Sequence, residues 1–306
     1  MKKIAWNVWR PRLGYGAFTL VAFLLALRWT FPADAVKQRL VVEAAAQGWQ
    51  VDAAAVGPSG LLGVRADAVT ADDGAGTRIP IDRLEAGLRV APLLVGRRSV
   101  AFAAHLYDGV VRGTADVAGT DRRISLQVDG VDLARVLPLR RAAGVDVGGK
   151  VAGTAALTVP TSPTGRPAGR IDVAVKGAAV GPGQLPLPGM TTGFALPRLG
   201  LGEVVAAVKL DQGKATFDKL EAKGGDAELS TQDLYAVLQP RLEFSPLSGR
   251  ARLKVQDAFW AKTGNPALKG LAEAALATSK ARDGAWSFQV LGSLGKPIVR
   301  PAPPTP

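Results

Sequence analysis

Few side chains in this sequence could carry chemistry. Cysteine is absent and there is one histidine, His105. Disulfide frameworks, zinc–thiolate sites, iron–sulfur clusters and thiol catalysis are therefore excluded. A multi-histidine metal site is impossible, and a Ser–His–Asp site has only His105 to use. The conspicuous acids, Asp72-Asp73 and Gly224-Gly225-Asp226, sit in turn-like sequence. Asp is favoured there because it bonds its own backbone. No Gly-rich loop ends in Lys-Ser/Thr, and no Gly-x-Gly-x-x-Gly opens a helix after a strand. His105 alternates with Ala101, Ala103 and Tyr107 on one side of a strand pattern, the setting of a structural or exposed histidine. Sequence leaves paired carboxylates open but points to no pair. The reading is a non-enzyme with no catalytic residue, no metal site and no cofactor.

The rest of the composition describes what must position any other kind of site. The 306 residues are 47% hydrophobic and 21% charged, which excludes wholesale disorder. Aromatics make up only 6%, against 36 Gly and 21 Pro, so a core would be built of Val, Leu, Ile and Ala between frequent turns. The net charge of +12 is uneven: Lys2, Lys3, Arg10, Arg12 and Arg28 precede any acid. Most other basic residues alternate with Asp and Glu along strand-like segments. That is a solvated basic face rather than the clustered stripe with stacking aromatics that nucleic acid requires, and no nucleic-acid partner is expected.

Leu13 to Leu27 carries no charge and contains Phe18, Leu20, Val21, Phe23, Leu24, Leu25 and Leu27. As a helix it spans about 22 Å, and continuing through Arg28, Trp29, Thr30 and Phe31 brings it to about 28 Å, close to a hydrocarbon core of ~30 Å. Arg28 can snorkel and Trp29 suits the headgroup layer. The basic flank predicts a cytoplasmic N-terminus. The expected order is a basic tip (1–12), a single membrane span (13–31), a membrane-proximal helix (32–48) and a β domain outside the cytoplasm (49–300). Val36, Leu40 and Ala44 supply the helical spacing and Gly48 the stop. A cleavable signal peptide ending near Ala33-Asp34-Ala35 is the alternative; Trp29 and Phe31 crowd its approach. Both deliver the bulk of the chain across the same membrane.

Beyond Gly48 the period changes to two. Ile124/Leu126/Val128, Ile171/Val173/Val175, Leu253/Val255 and Trp286/Phe288/Val290 alternate with polar residues, as do antiparallel strands with one dry face and one wet face. Asp72-Asp73-Gly74, Asp108-Gly109 and Asp129-Gly130 predict turns. A weak repeat recurs: Val111–Val117 then Arg123–Gly130, Val151–Leu157 then Arg170–Gly177, and Leu247–Leu253 then Trp286–Gly292. Residues 181–200, with four prolines, read as a surface loop. Asn265-Pro266 starts a predicted helix over about 265–281, and the tail 301–306 reads as disordered or polyproline-like. Phe259 and Trp260 either pack that helix onto the sheet or serve as an anchor for a partner. The fold expected is mainly β: an elongated, curved antiparallel sheet of hairpin repeats behind a transmembrane helix, with one C-terminal covering helix.

Scattered short motifs carry a family resemblance. They are Phe31-Pro32 with Val36-Lys37-Gln38-Arg39-Leu40, then Pro58-Ser59-Gly60-Leu61, Pro92-Leu93-Leu94-Val95-Gly96-Arg97, Asp257-Ala258-Phe259-Trp260, and Leu291-Gly292 before Pro297, Arg300 and Pro301. In this order, after one N-terminal span, they resemble the general secretion pathway protein N of type II secretion systems in its Myxococcus-like form. The resemblance implies an inner-membrane protein with a periplasmic β domain, accessory to an exporter of folded proteins, whose partners are other secretion components. More distantly the hairpins are similar to AsmA-like, repeating-β-groove proteins, which implies lipid as an alternative partner. Neither resemblance carries over a catalytic residue.

Overall fold

The computed structural model describes residues 32–46, 48–60, 62–72, 74, 78–93, 96, 98–118, 121–137, 139, 145–160, 162, 165–185, 194–239, 241–264 and 266–304. The expected membrane span, with Phe18, Leu20, Val21, Phe23, Leu24, Leu25, Leu27 and Trp29, lies outside the described residues. No helix among the described residues is long and apolar enough to cross a membrane.

Helix α1 (Ala33–Ala46) has no Gly or Pro inside it and ends in a Schellman motif. Gly48 takes φ +82°, its N–H reaches the Ala45 carbonyl and the Trp49 N–H reaches that of Ala44. Then come β1 (Gln50–Ser59), β2 (Gly63–Asp72), β3 (Arg78–Leu88), the one-turn helix α2 (Val90–Leu93), β4 (Arg98–Leu106), β5 (Gly109–Ala118) and β6 (Asp121–Asp132). These are followed by β7 (Val145–Pro160), β8 (Ala168–Leu185), β9 (Phe194–Leu196), β10 (Leu199–Asp211), β11 (Lys214–Lys223), β12 (Ala227–Val237) and β13 (Leu247–Val255). Helices α3 (Asp257–Lys262) and α4 (Pro266–Ala275) precede β14 (Trp286–Ser293) and β15 (Lys296–Pro301).

All the strands among the described residues form one antiparallel sheet. Fourteen follow one another in chain order, and β9 pairs with β8 off that path. At a spacing of about 4.8 Å, thirteen intervals make the sheet roughly 62 Å wide. Each strand is held by its sequence neighbours, as in a solenoid.

Several turn expectations need correction. The β4–β5 hairpin turns on Tyr107 and Asp108, both at positive φ, one residue earlier than Asp108-Gly109. That pair of left-handed residues is the type I′ pattern, whose twist matches the flanking strands. Asp129-Gly130 is not a turn at all: it lies within β6, where Gly130 (φ +70°) accompanies a register shift between Val128 and Val131. Such a bulge tightens local twist. Strand β8 runs on to Leu185, into the proline-bearing stretch read as loop; Pro182 has no register partner there, so its missing N–H costs the ladder nothing. The helix expected over about 265–281 is α4, which ends at Ala275; an additional helix, α3, precedes it, and Pro301 ends β15 instead of opening the tail.

The three repeat copies are real hairpin partners: β5–β6, β7–β8 and β13–β14 are each adjacent antiparallel pairs. Their shared glycine has a physical reason. A Cβ on Gly113 would strike the Phe102 ring and Leu126; on Gly153 it would meet the Asp172 carbonyl oxygen at 2.6 Å; on Gly249 it would meet the Leu234 Cα at 2.5 Å. Gly153→Ala and Gly249→Ala must displace backbone, so each should cost about 1–3 kcal/mol in denaturant titration. Gly113→Ala should cost less, because the Phe102 ring can swing away.

Candidate interaction site: the uncovered apolar face

Register brings most of the larger apolar residues of the middle strands to one side. One row runs Pro58, Val64, Ala86, Phe102, Gly113, Leu126, Ala155, Ile171, Val208, Phe217 across ten strands. Further along the strands, Val131, Val151, Val175, Val204, Ala222, Leu229, Leu253 and Trp286 make a second row, from β6 to β14. Ile124/Leu126/Val128 and Ile171/Val173/Val175 therefore share a face, as the alternation predicts. The opposite face reads Arg65, Glu85, Ala103, Arg112, Gln127, Thr154, Asp172, Ala207, Lys219. Asp67 is clasped there by Arg65 and Arg83, and Asp172 by Arg170. These hydrogen-bonded guanidinium groups hold both carboxyls below the usual carboxylate range.

The apolar face is not sealed. Leu126, Val128, Ile171, Val173, Val175, Val204 and Val208 are all only half-buried. Most of the fully buried apolar residues are alanines, among them Ala53, Ala66, Ala104, Ala215, Ala222 and Ala236. Alanine is short enough to be hidden by its cross-strand neighbours alone; longer side chains need a second layer. Among the described residues, the only hydrophobic cluster of buried residues is Ala53, Ala66 and Val69, backed by Val51, Val56, Ile81 and Leu84, at the β1 end. Two hollows open along the sheet: one of about 790 Å³, lined by Leu62, Phe102 and Leu126 together with Arg112 and Gln127 of the opposite row, and one of about 410 Å³ lined by Val128 and Val173 together with Asp172.

Cover exists at the β14 end. Helix α3 brings Phe259, 4% exposed, and Trp260, half-buried, against the sheet. The Trp260 ring lies edge-on to Phe259 (centroids 5.4 Å apart) and to Trp286 (6.3 Å). The two adjacent aromatics thus occupy a helix, not an extended segment, and both help to seat it. Sequence gave no warning of the polar staple beneath. Asp226, 5% exposed, accepts from the Gly200 N–H at 2.8 Å and from Lys262 Nζ at 2.6 Å, while its carbonyl accepts from the Gln256 N–H. One side chain thereby ties β10, the β11–β12 turn and α3 together. The Lys262 ammonium first, and then the Gly200 amide, hold the Asp226 carboxyl below its ordinary value. A depressed carboxyl stabilises the fold above its unfolded pKa of ~3.9, and that contribution is lost as pH falls through the lower folded value. Asp226→Asn should cost about 1–3 kcal/mol at pH 7, and the gap between the melting curves of wild type and variant should close below about pH 4.

His105 is half-buried on the polar face, in register with Arg83 and Val110. Asp72 accepts from the Gly74 N–H, the local turn bond expected of it; Asp73 lies outside the described residues. No three His, Asp or Glu side chains among the described residues converge to hold a metal ion. Comparison with family models, with curated proteins and with solved structures found no match for the chain.

Proposed function

We propose that this chain is a non-enzymatic accessory component of the type II secretion machinery for folded proteins, acting by protein–protein contacts. In this reading residues 13–31 hold it in the inner membrane, N-terminus in the cytoplasm, with an elongated, curved sheet in the periplasm. The observation that carries the proposal is the wide apolar face, over whose middle strands the described residues place no second layer, a surface suited to a partner. Register-shifting bulges in β6, β11 and β12 support the curvature. The residues of the family resemblance add support by their placement. Val36–Leu40, Pro58–Gly60 and Pro92 lie on α1 and at the neighbouring strand tips; Asp257–Trp260, Leu291–Gly292 and Pro297–Pro301 lie at the far end of the sheet. A component held at the membrane by one end and by partners at the other would carry its matching residues there.

Contact by strand addition at β15 is disfavoured. The Ala302 N–H bonds the Ser287 carbonyl, so by alternation residues 297, 299 and 301 point their backbone away from β14. Two of those three are proline, leaving Val299 as the one outward donor, a blunted edge. Faces and loops are left as the contact surfaces. Deleting the protein should leave folded secretion cargo stranded in the periplasm, and complementation should restore its release. Normal cargo release with altered envelope lipid would overturn this reading.

That outcome would favour a second reading, which the two hollows support: an open groove that takes acyl chains of envelope lipid. Lipid extraction and mass spectrometry of the purified full chain test it directly.

A further inference from the structure

We propose that the corner of the sheet formed by the β1–β2 and β3–β4 tips docks onto the anionic surface of the membrane that anchors the chain. The inference rests on the reading of residues 13–31 as that anchor. Helix α1 folds back along β1: Ala46 leads into the start of the strand, yet Lys37 reaches Asp52 and the Ala53 carbonyl. From Ala33 to Ala46 the helix covers about 20 Å, and β1 covers about 31 Å. The chain preceding Ala33 therefore starts well along β1, on the Ser59 side of the sheet. Ala33 thus lies toward these tips and away from the opposite rim, which carries α3 and α4.

The tips have the side chains that a bilayer surface accepts. Leu62 is 45% exposed, Leu88 42% and Val90 43%. Arg89 and Arg98 are exposed between and beside them and form no ion pair among the described residues. The nearby Glu85 lies opposite Arg65 in register, so it does not cancel them. Apolar side chains flanked by arginine suit the boundary between acyl chains and anionic headgroups. The occupant is an anionic phospholipid bilayer rather than a protein, because the chain's own apolar segment delivers the corner to it. The larger hollow, lined by Leu62, Leu88 and Val90, opens at the same corner.

The absence of cysteine makes the test direct. Full-length chain carrying Leu62→Cys, Val90→Cys or, on the opposite rim, Ala134→Cys is labelled with an environment-sensitive fluorophore. Each is reconstituted into phosphatidylcholine vesicles, with or without phosphatidylglycerol, containing lipid-borne quenchers. Labels at 62 and 90 should be quenched and that at 134 should not, more strongly with phosphatidylglycerol. Arg89→Ala with Arg98→Ala should shift the docked population by about thirtyfold. Protein that carbonate washes from the vesicles would overturn the anchor reading and this proposal with it. Protein that stays anchored with equal quenching at 62, 90 and 134 would overturn the docking alone.

Discussion

Phe259→Ala should destabilise the β14 end of the sheet by about 3–5 kcal/mol. The ring is 4% exposed, and it holds α3 where Trp260 can meet Trp286. Its removal leaves a cavity that the short helix cannot close. The loss should be local, because each strand is supported by its neighbours and little else. Hydrogen exchange should therefore accelerate in β12–β15 and in α3, while β2–β6 keep their protection. Trp260→Ala should show the same pattern at about 1–3 kcal/mol, since that ring is only half-buried. Uniform loss of protection along the whole sheet would mean that α3 supports more than its own end.

Leu126→Asp combined with Ile171→Asp should have the opposite profile, with a modest cost in stability and a large loss of function. The pair lies in one row, separated by Ala155 of β7, and neither side chain is fully buried. From alternation alone, a charge at Leu126 would be expected to be strongly destabilising, as in a sealed core. On an open face the carboxylates keep much of their water, so we expect about 1–2 kcal/mol each. Cargo release should nonetheless fall at least tenfold, because two charges then interrupt the apolar row. Gln127→Asp, on the wet face between them in sequence, should leave both stability and release unchanged.

These two predictions mark what sequence could and could not reveal. Strand faces were legible because the period of two holds between bulges and register preserves it: Leu126 and Ile171 lie two strands apart yet meet one face. The repeat was legible because its glycine answers to a local steric demand at Gly113, Gly153 and Gly249. Whether the dry face is covered was not legible, since a half-buried strand and a sealed one alternate alike. Bulges such as Gly130 mimic turns, because both need a left-handed residue after Asp. The Asp226 staple joins positions 26 and 36 residues apart, and no local pattern announces a partner at that distance.

The most direct test of the central claim is photocross-linking in living cells from a benzophenone side chain placed at Leu126, with Gln127 as its opposite-face control. If the apolar face serves secretion by protein contacts, the probe at 126 should form adducts with other type II secretion proteins, and the probe at 127 should form few or none. Adducts with phospholipid alone at 126, or equal yields at the two positions, would contradict it.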